Sequence, residues 1–122
     1  MTKIVSNKYD YDLINDSLFF YKEGEKYKSS LDFEGIILDF SEDDNLMNIE
    51  ILDASKKFHV SKSELHNLQL FNATIEVNKE NIKVAMKLEV HKRNQLLKKF
   101  SEALIPNIFN LPNSKQGIAV TC

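Results

Sequence analysis

The stretch LDFSEDDNLMNIEIL, residues 38–52, carries Asp39, Glu42, Asp43, Asp44 and Glu50 inside two apolar runs. Hard divalent cations need several oxygens around one point, and acids at short intervals on a loop can supply them. Set on the calcium-loop pattern D-x-[DN]-x-[DN]-G-x5-E, Asp39 takes the first ligand place, Ser41 and Asp43 the next two, and Glu50 the last. The place that needs glycine for a sharp bend holds Asp44 instead. The flanks IILDF and MNIEIL have strand character, whereas the calcium motif has a helix on each side. The stretch is therefore read as the tip of a β-hairpin, with Ser41–Asn45 as the turn. A divalent-metal site on Asp39, Asp43 and Glu50 is the alternative, and an acid/base couple of Asp39 and Glu50 a more remote one.

Other chemistry finds little support. His59, His66 and His91 lack the tight spacing of zinc ligands, and Cys122 is the sole thiol, so no metal and no disulfide framework is expected. There is no G-x-S-x-G nucleophile motif. Three glycines in 122 residues cannot build a phosphate loop or a dinucleotide fingerprint. No catalytic residue, cofactor or small-molecule substrate is indicated.

The elements that must position these residues are legible in part. Ser17–Lys22 (SLFFYK) reads as a strand, with Asp10, Asp12, Asn15 and Asp16 before it as turn formers. A turn at Glu23-Gly24-Glu25 leads to Tyr27, Ser29, Leu31 and Phe33 on one face of a second strand. Residues 35–40 and 46–52 complete a four-stranded meander. Ser61-Lys62-Ser63-Glu64 fits a capping box, with Val60 and Leu65 placed for a hydrophobic staple, and predicts a short helix near 61–69. Ala73, Ile75 and Val77, then Ile82, Val84, Met86, Leu88 and Val90, alternate with polar residues as two strands joined at Asn78–Asn81. From Asn94, read as an N-cap, Leu96, Leu97, Phe100, Ala103 and Leu104 form a helical stripe that Pro106 closes. The expectation is an α+β fold: an antiparallel β-meander of about six strands, the short helix, and an amphipathic helix near 94–105. Residues 1–106 would form the domain. Residues 107–122 would be a tail whose apolar patches, Ile108, Phe109 and Leu111, then Ile118 and Val120, dock on the sheet, add an edge strand to it, or reach a second subunit.

A chain of this length can bury about two thirds of its unfolded surface and needs no staples. No stretch approaches the roughly 18 apolar residues of a membrane span, and the N-terminus lacks an apolar signal core, so a cytoplasmic, soluble protein is expected. Residues 1–60 hold 7 Lys against 13 acids, and residues 61–122 hold 9 Lys and Arg against 5 acids, which suits two halves that pack together or two copies that meet. The aromatic residues Phe19, Phe20, Tyr21, Tyr27 and Phe33 could stack nucleobases beside lysines, but core packing explains them more simply, and nucleic-acid binding stands third.

YDYDLINDSLFFYK followed by EGIILDFSEDDNLMNIEILDAS resembles the small family catalogued as domain of unknown function 2283, over about residues 9–55. Tyr9, Asp10 and Asp16 match its opening, Leu18, Phe19 and Phe20 its first strand, and Ile49, Glu50, Ile51, Leu52, Ala54 and Ser55 its final one. Asp44 and Asn48 stand where the family usually has glycines. The resemblance implies a compact β-rich fold and brings no established activity. The leading expectation is thus a non-enzymatic protein-interaction module of prokaryotic type, as a homodimer or, by analogy of size, an antitoxin-like partner of another protein.

Overall fold

The computed structural model describes residues 8–21 and 24–121. Lys22 and Glu23, read above as a strand end and the start of a turn, lie outside the described residues, as does Cys122. Among the described residues, nine strands make two antiparallel sheets of five and four strands, with two short helices between them. The first sheet holds β1 (Lys8–Asp12), β2 (Ser17–Tyr21), β3 (Tyr27–Phe33), β4 (Ile36–Ser41) and β5 (Leu46–Ile51), in the order β1-β2-β5-β4-β3. Next come α1 (Ala54–Phe58) and α2 (Lys62–His66). The second sheet holds β6 (Leu68–Val77), β7 (Asn81–Lys92), β8 (Gln95–Pro106) and β9 (Ser114–Thr121), in the order β8-β7-β6-β9. The α+β reading holds coarsely, with strands dominant. The single meander of about six strands does not: β2 pairs with β5 rather than β3, and the chain divides into two sheets.

Two hairpin turns set register. Glu34 and Gly35 (φ 52° and 81°) join β3 to β4, and Arg93 and Asn94 (φ 50° and 65°) join β7 to β8. Two-residue loops with positive φ at both positions match the right-handed twist of the strands they connect. Gly35 also sits tightly: a Cβ there would lie 2.8 Å from Lys57 Nζ and 3.3 Å from Leu52 Cβ. Because Lys57 is held there by its bond to the Leu52 carbonyl, Gly35→Ala is expected to cost about 1–2 kcal/mol, the usual penalty of a left-handed non-glycine residue. A lowered urea midpoint with unchanged slope would show it.

The largest correction concerns residues 94–105, which form strand β8 and not a helix. The apolar residues belong to two faces. Leu97, Ala103 and Ile105 turn inward, while Leu96, Phe100 and Leu104 point out. Asn94 is the second residue of a hairpin turn and not an N-cap, and a two-residue loop forces the chain back along β7. Pairing runs without a shift from Asn81↔Pro106 to Lys92↔Gln95. Long-range pairing thus overrides a helical pattern.

The helix near 61–69 is present as α2, shorter than that span, and its capping box is complete: Ser61 Oγ accepts from Glu64 N at 3.1 Å, and Glu64 Oε1 accepts from Ser61 N at 2.8 Å. A bulge between Tyr27 and Ser29 takes Tyr27 out of the row expected for β3 and leaves it exposed.

The inward rows of both sheets form one apolar cluster. Phe20 of β2 stacks on Phe71 of β6, ring centroids 3.7 Å apart and planes 10° apart. The acidic and basic halves of the sequence are in this way the two layers of one core. Gln116, buried on β9, stitches the layers: its Oε1 accepts from Leu46 N at 2.6 Å and its Nε2 donates to the Asp44 carbonyl. Asn107 reverses the chain after β8. Its Nδ2 donates to the Asn78 and Leu111 carbonyls, and its Oδ1 accepts from Leu111 N. β9 can then reach the far edge and pair along β6 from Leu70↔Thr121 to Val77↔Ser114.

Candidate functional site

The acidic stretch is a hairpin. Asp44 takes φ 61°, the left-handed conformation that a glycine would supply at that place, and Ser41 Oγ accepts from Asp43 N and Asn45 N to close the turn. The three acids considered for a metal do not share a partner. Asp39 accepts from Ser30 Oγ at 2.5 Å and from Asn48 Nδ2 at 3.0 Å. Glu50 lies across from Ile37 rather than Asp39 and accepts from Ser17 Oγ. Asp43 sits in the turn. Among the described residues no three His, Cys, Asp or Glu side chains gather as a metal group would require. The stacking platform is likewise divided: Phe20 is in the core, whereas Phe19 and Tyr21 stack on the outer face at 5.1 Å.

Two features escape a reading of the sequence alone. Asp10 and Asp12, turn formers by residue type, lie in edge strand β1, whose Tyr9 and Tyr11 pack against the core while its charged residues face water. Asp53 also starts an unforeseen helix, α1, without a side-chain cap of its own. Asp16 supplies one from a distance. Asp16 is 5% exposed, and its carboxylate accepts from Ser55 N at 3.0 Å, Ser55 Oγ at 2.6 Å and Tyr11 Oη at 2.7 Å, while its carbonyl accepts from Ala54 N. Burial alone would raise the Asp16 pKa; the hydrogen bonds of Ser55 and Tyr11, with the charge of Lys62, outweigh it and hold the carboxyl below its ordinary value. Burial, then the bond to Asp16 and its charge, push the Tyr11 phenol well above its usual range. These groups form a structural tie. They face one another rather than a ligand.

Beside this tie lies an open cleft of about 510 Å³ on the outer face of the first sheet, lined by Asp10, Asp12, Asn15, Ser17, Phe19, Glu50 and Leu52. Three carboxylates give it a negative field, which disfavours anionic ligands.

The tail residues separate by burial. Leu111, Ile118 and Val120 belong to the core: the tail docks on the sheet as edge strand β9, and these residues are not offered to a second subunit. Ile108 and Phe109 are exposed in the loop after β8, at 68% and 46%. Among the described residues an exposed apolar row lies on β8 itself, where Leu96, Phe100 and Leu104 are 46%, 69% and 58% exposed. These residues lie on the edge strand of the second sheet, which no described strand pairs on its far side and against which α1 packs. The signal that could have revealed this row is the alternation Leu96, Lys98, Phe100, Glu102, Leu104, masked by Leu97 and Ala103 on the other face.

Residues 8–55 match the family model described as Protein of unknown function (DUF2283). The chain is 55% identical over 115 residues to a Methanosarcina mazei protein named "Putative hypoxanthine phosphoribosyltransferase", covering 94% of each chain. The chain belongs to one family with this protein, and the DUF2283 match covers its residues 8–55. A second relative, the uncharacterized protein MJ0789 of Methanocaldococcus jannaschii, is 44% identical over 89 residues, covering 72% of this chain and 77% of its own length. No solved structure matches. The family match begins with β1 and ends on Ser55, so the tie between Asp16 and Ser55 joins residues from both parts of the matched region. Among the described residues no helix is long and apolar enough to cross a membrane.

Proposed function

We propose that this chain is a non-enzymatic protein-interaction module whose contact surface is the outer row and far edge of β8. The observation that supports the reading is the exposure of Leu96, Phe100 and Leu104 along one regular edge strand. Exposed apolar rows on unpaired edges mark places where another strand can add, its main chain giving affinity and its side chains specificity. A protein segment, from another chain or a second copy, is the partner that fits. The test is a photo-crosslinking residue placed at position 100 or, as a control, at position 76 on the outer face of β6, in cells that natively make the protein. Protein adducts at 100 well above those at 76 support the reading. Equal or absent adducts overturn it.

The name of the Methanosarcina mazei relative suggests a second reading, phosphoribosyl transfer to hypoxanthine. Such a reaction needs a cradle for a highly charged phosphate donor. The two described helices are five residues each, too short for a strong anion site, and the cleft on the outer face of the first sheet carries Asp10, Asp12 and Glu50. Incubation with hypoxanthine and phosphoribosyl diphosphate is expected to release no diphosphate above background. Turnover that rises with protein concentration would replace the interaction reading with an enzymatic one.

A further inference from the structure

The described strands leave four sheet edges, and two of them, β1 and β3, carry devices against further pairing. β1 is short and carries Lys8, Asp10 and Asp12 outward, and β3 is bulged at Lys28. Bulges, charges and short length are the usual devices against edge pairing. β8 is the longest of the four edge strands: it runs 12 residues against eight for β9, pairs with β7 without a shift, and meets proline only at its last residue.

We propose that the occupant of this edge is β8 of a second copy, antiparallel, about a two-fold axis normal to the sheet at Phe100. This deepens the reading of β8 as a contact surface and rests on it. A two-fold interface is self-complementary, so the strand must match its own reverse. Centred on Phe100, the outer row does so: Phe100 meets Phe100 of the second copy, Lys98 meets Glu102, Glu102 meets Lys98, and Leu96 meets Leu104. On the inner face Leu97 meets Ala103 and Lys99 meets Ser101, so no like charges oppose. Aromatic pairs and opposite charges placed directly across an antiparallel pair stabilise it.

The neighbouring symmetric registers fail. Centring on Lys98, Lys99 or Glu102 sets a charge against its own copy. Centring on Ser101 sets Lys98 against Leu104 and Phe100 against Glu102. Pairing about Phe100 would merge the two four-stranded sheets into one of eight strands and set the two apolar rows side by side across the seam on its outer face. Glu102 is free to turn toward the second copy, since its ion pair with Lys83 spans 3.8 Å and both side chains are more than half exposed.

The test is analytical ultracentrifugation of the full chain with reciprocal charge changes at two exposed positions. The wild type is expected to sediment as a dimer, twice 14.1 kDa. Lys98→Glu and Glu102→Lys should each weaken dimerisation by about tenfold or more, because each sets like charges across both symmetric pairs. Mixing the two variants should restore association, since the acid introduced at position 98 of one copy then faces the cation introduced at position 102 of the other. Unchanged far-ultraviolet circular dichroism spectra would show that both fold. A monomeric wild type overturns the inference, as does a mixture no tighter than either variant alone. A monomer that still crosslinks to another protein at position 100 would overturn the second-copy assignment and leave the contact-surface reading standing.

Discussion

Replacing Phe71 with alanine is expected to lower stability by about 3–5 kcal/mol, the cost of emptying a large aromatic from a core that cannot fully collapse. Phe71 has no exposed surface, and its ring lies 3.7 Å from that of Phe20, so the deletion removes the main aromatic contact between the two layers. Domains of this size are stable by only about 5–15 kcal/mol, so the change removes a large share of the total. Chemical denaturation would show a strongly lowered midpoint. Phe71→Leu, which keeps much of the volume, should lose far less, and equal losses in the two variants would mean that the stack does not hold the layers together.

Asp16→Ala should cost about 2–4 kcal/mol, because it removes a buried carboxylate that accepts hydrogen bonds from Ser55 N, Ser55 Oγ and Tyr11 Oη and leaves those donors unpaired. The effect also carries a pH signature. The folded pKa of Asp16 is depressed, so its contribution is present above the unfolded value of about 4 and fades as pH falls through the folded one. The wild type should therefore lose stability in acid more steeply than Asp16→Asn, which has no carboxyl to protonate there. Tyr11 has the opposite sign: its raised pKa keeps the phenol protonated in the folded chain, and its contribution is lost only as pH climbs above about 10. Parallel acid profiles for wild type and Asp16→Asn would show that the tie does not depend on the carboxylate.

Much of the fold is legible in the sequence because local pattern and tertiary structure agree. The two-residue alternation of β6 and β7 and the capping box at Ser61 correspond to what the chain forms, and Asp44 adopts the left-handed turn that its place in the family pattern implies. Residues 94–105 mislead because both faces of β8 are apolar, so Leu96, Leu97, Phe100, Ala103 and Leu104 imitate a helical stripe. Only the long pairing with β7 decides between the two. β1 is hidden for a related reason, since Asp10 and Asp12 are turn formers by type and strand residues by position. The Asp16 tie is not legible as a contact because its partner Ser55 is 39 residues away. The tail draws attention as a contact surface, yet Ile118 and Val120 are apolar because they fill the core, whereas the exposed row lies where the pattern suggests a helix.

The central claim is that residues 95–106 form an edge strand on which β8 of a second copy pairs. Backbone chemical shifts with amide hydrogen exchange over this segment, recorded from dilute to concentrated protein, test it most directly. Extended shifts throughout are predicted, with every second amide protected by β7 at all concentrations and the intervening ones slowing only as the protein is concentrated. Helical shifts, or intervening amides that exchange rapidly at every concentration, would contradict it.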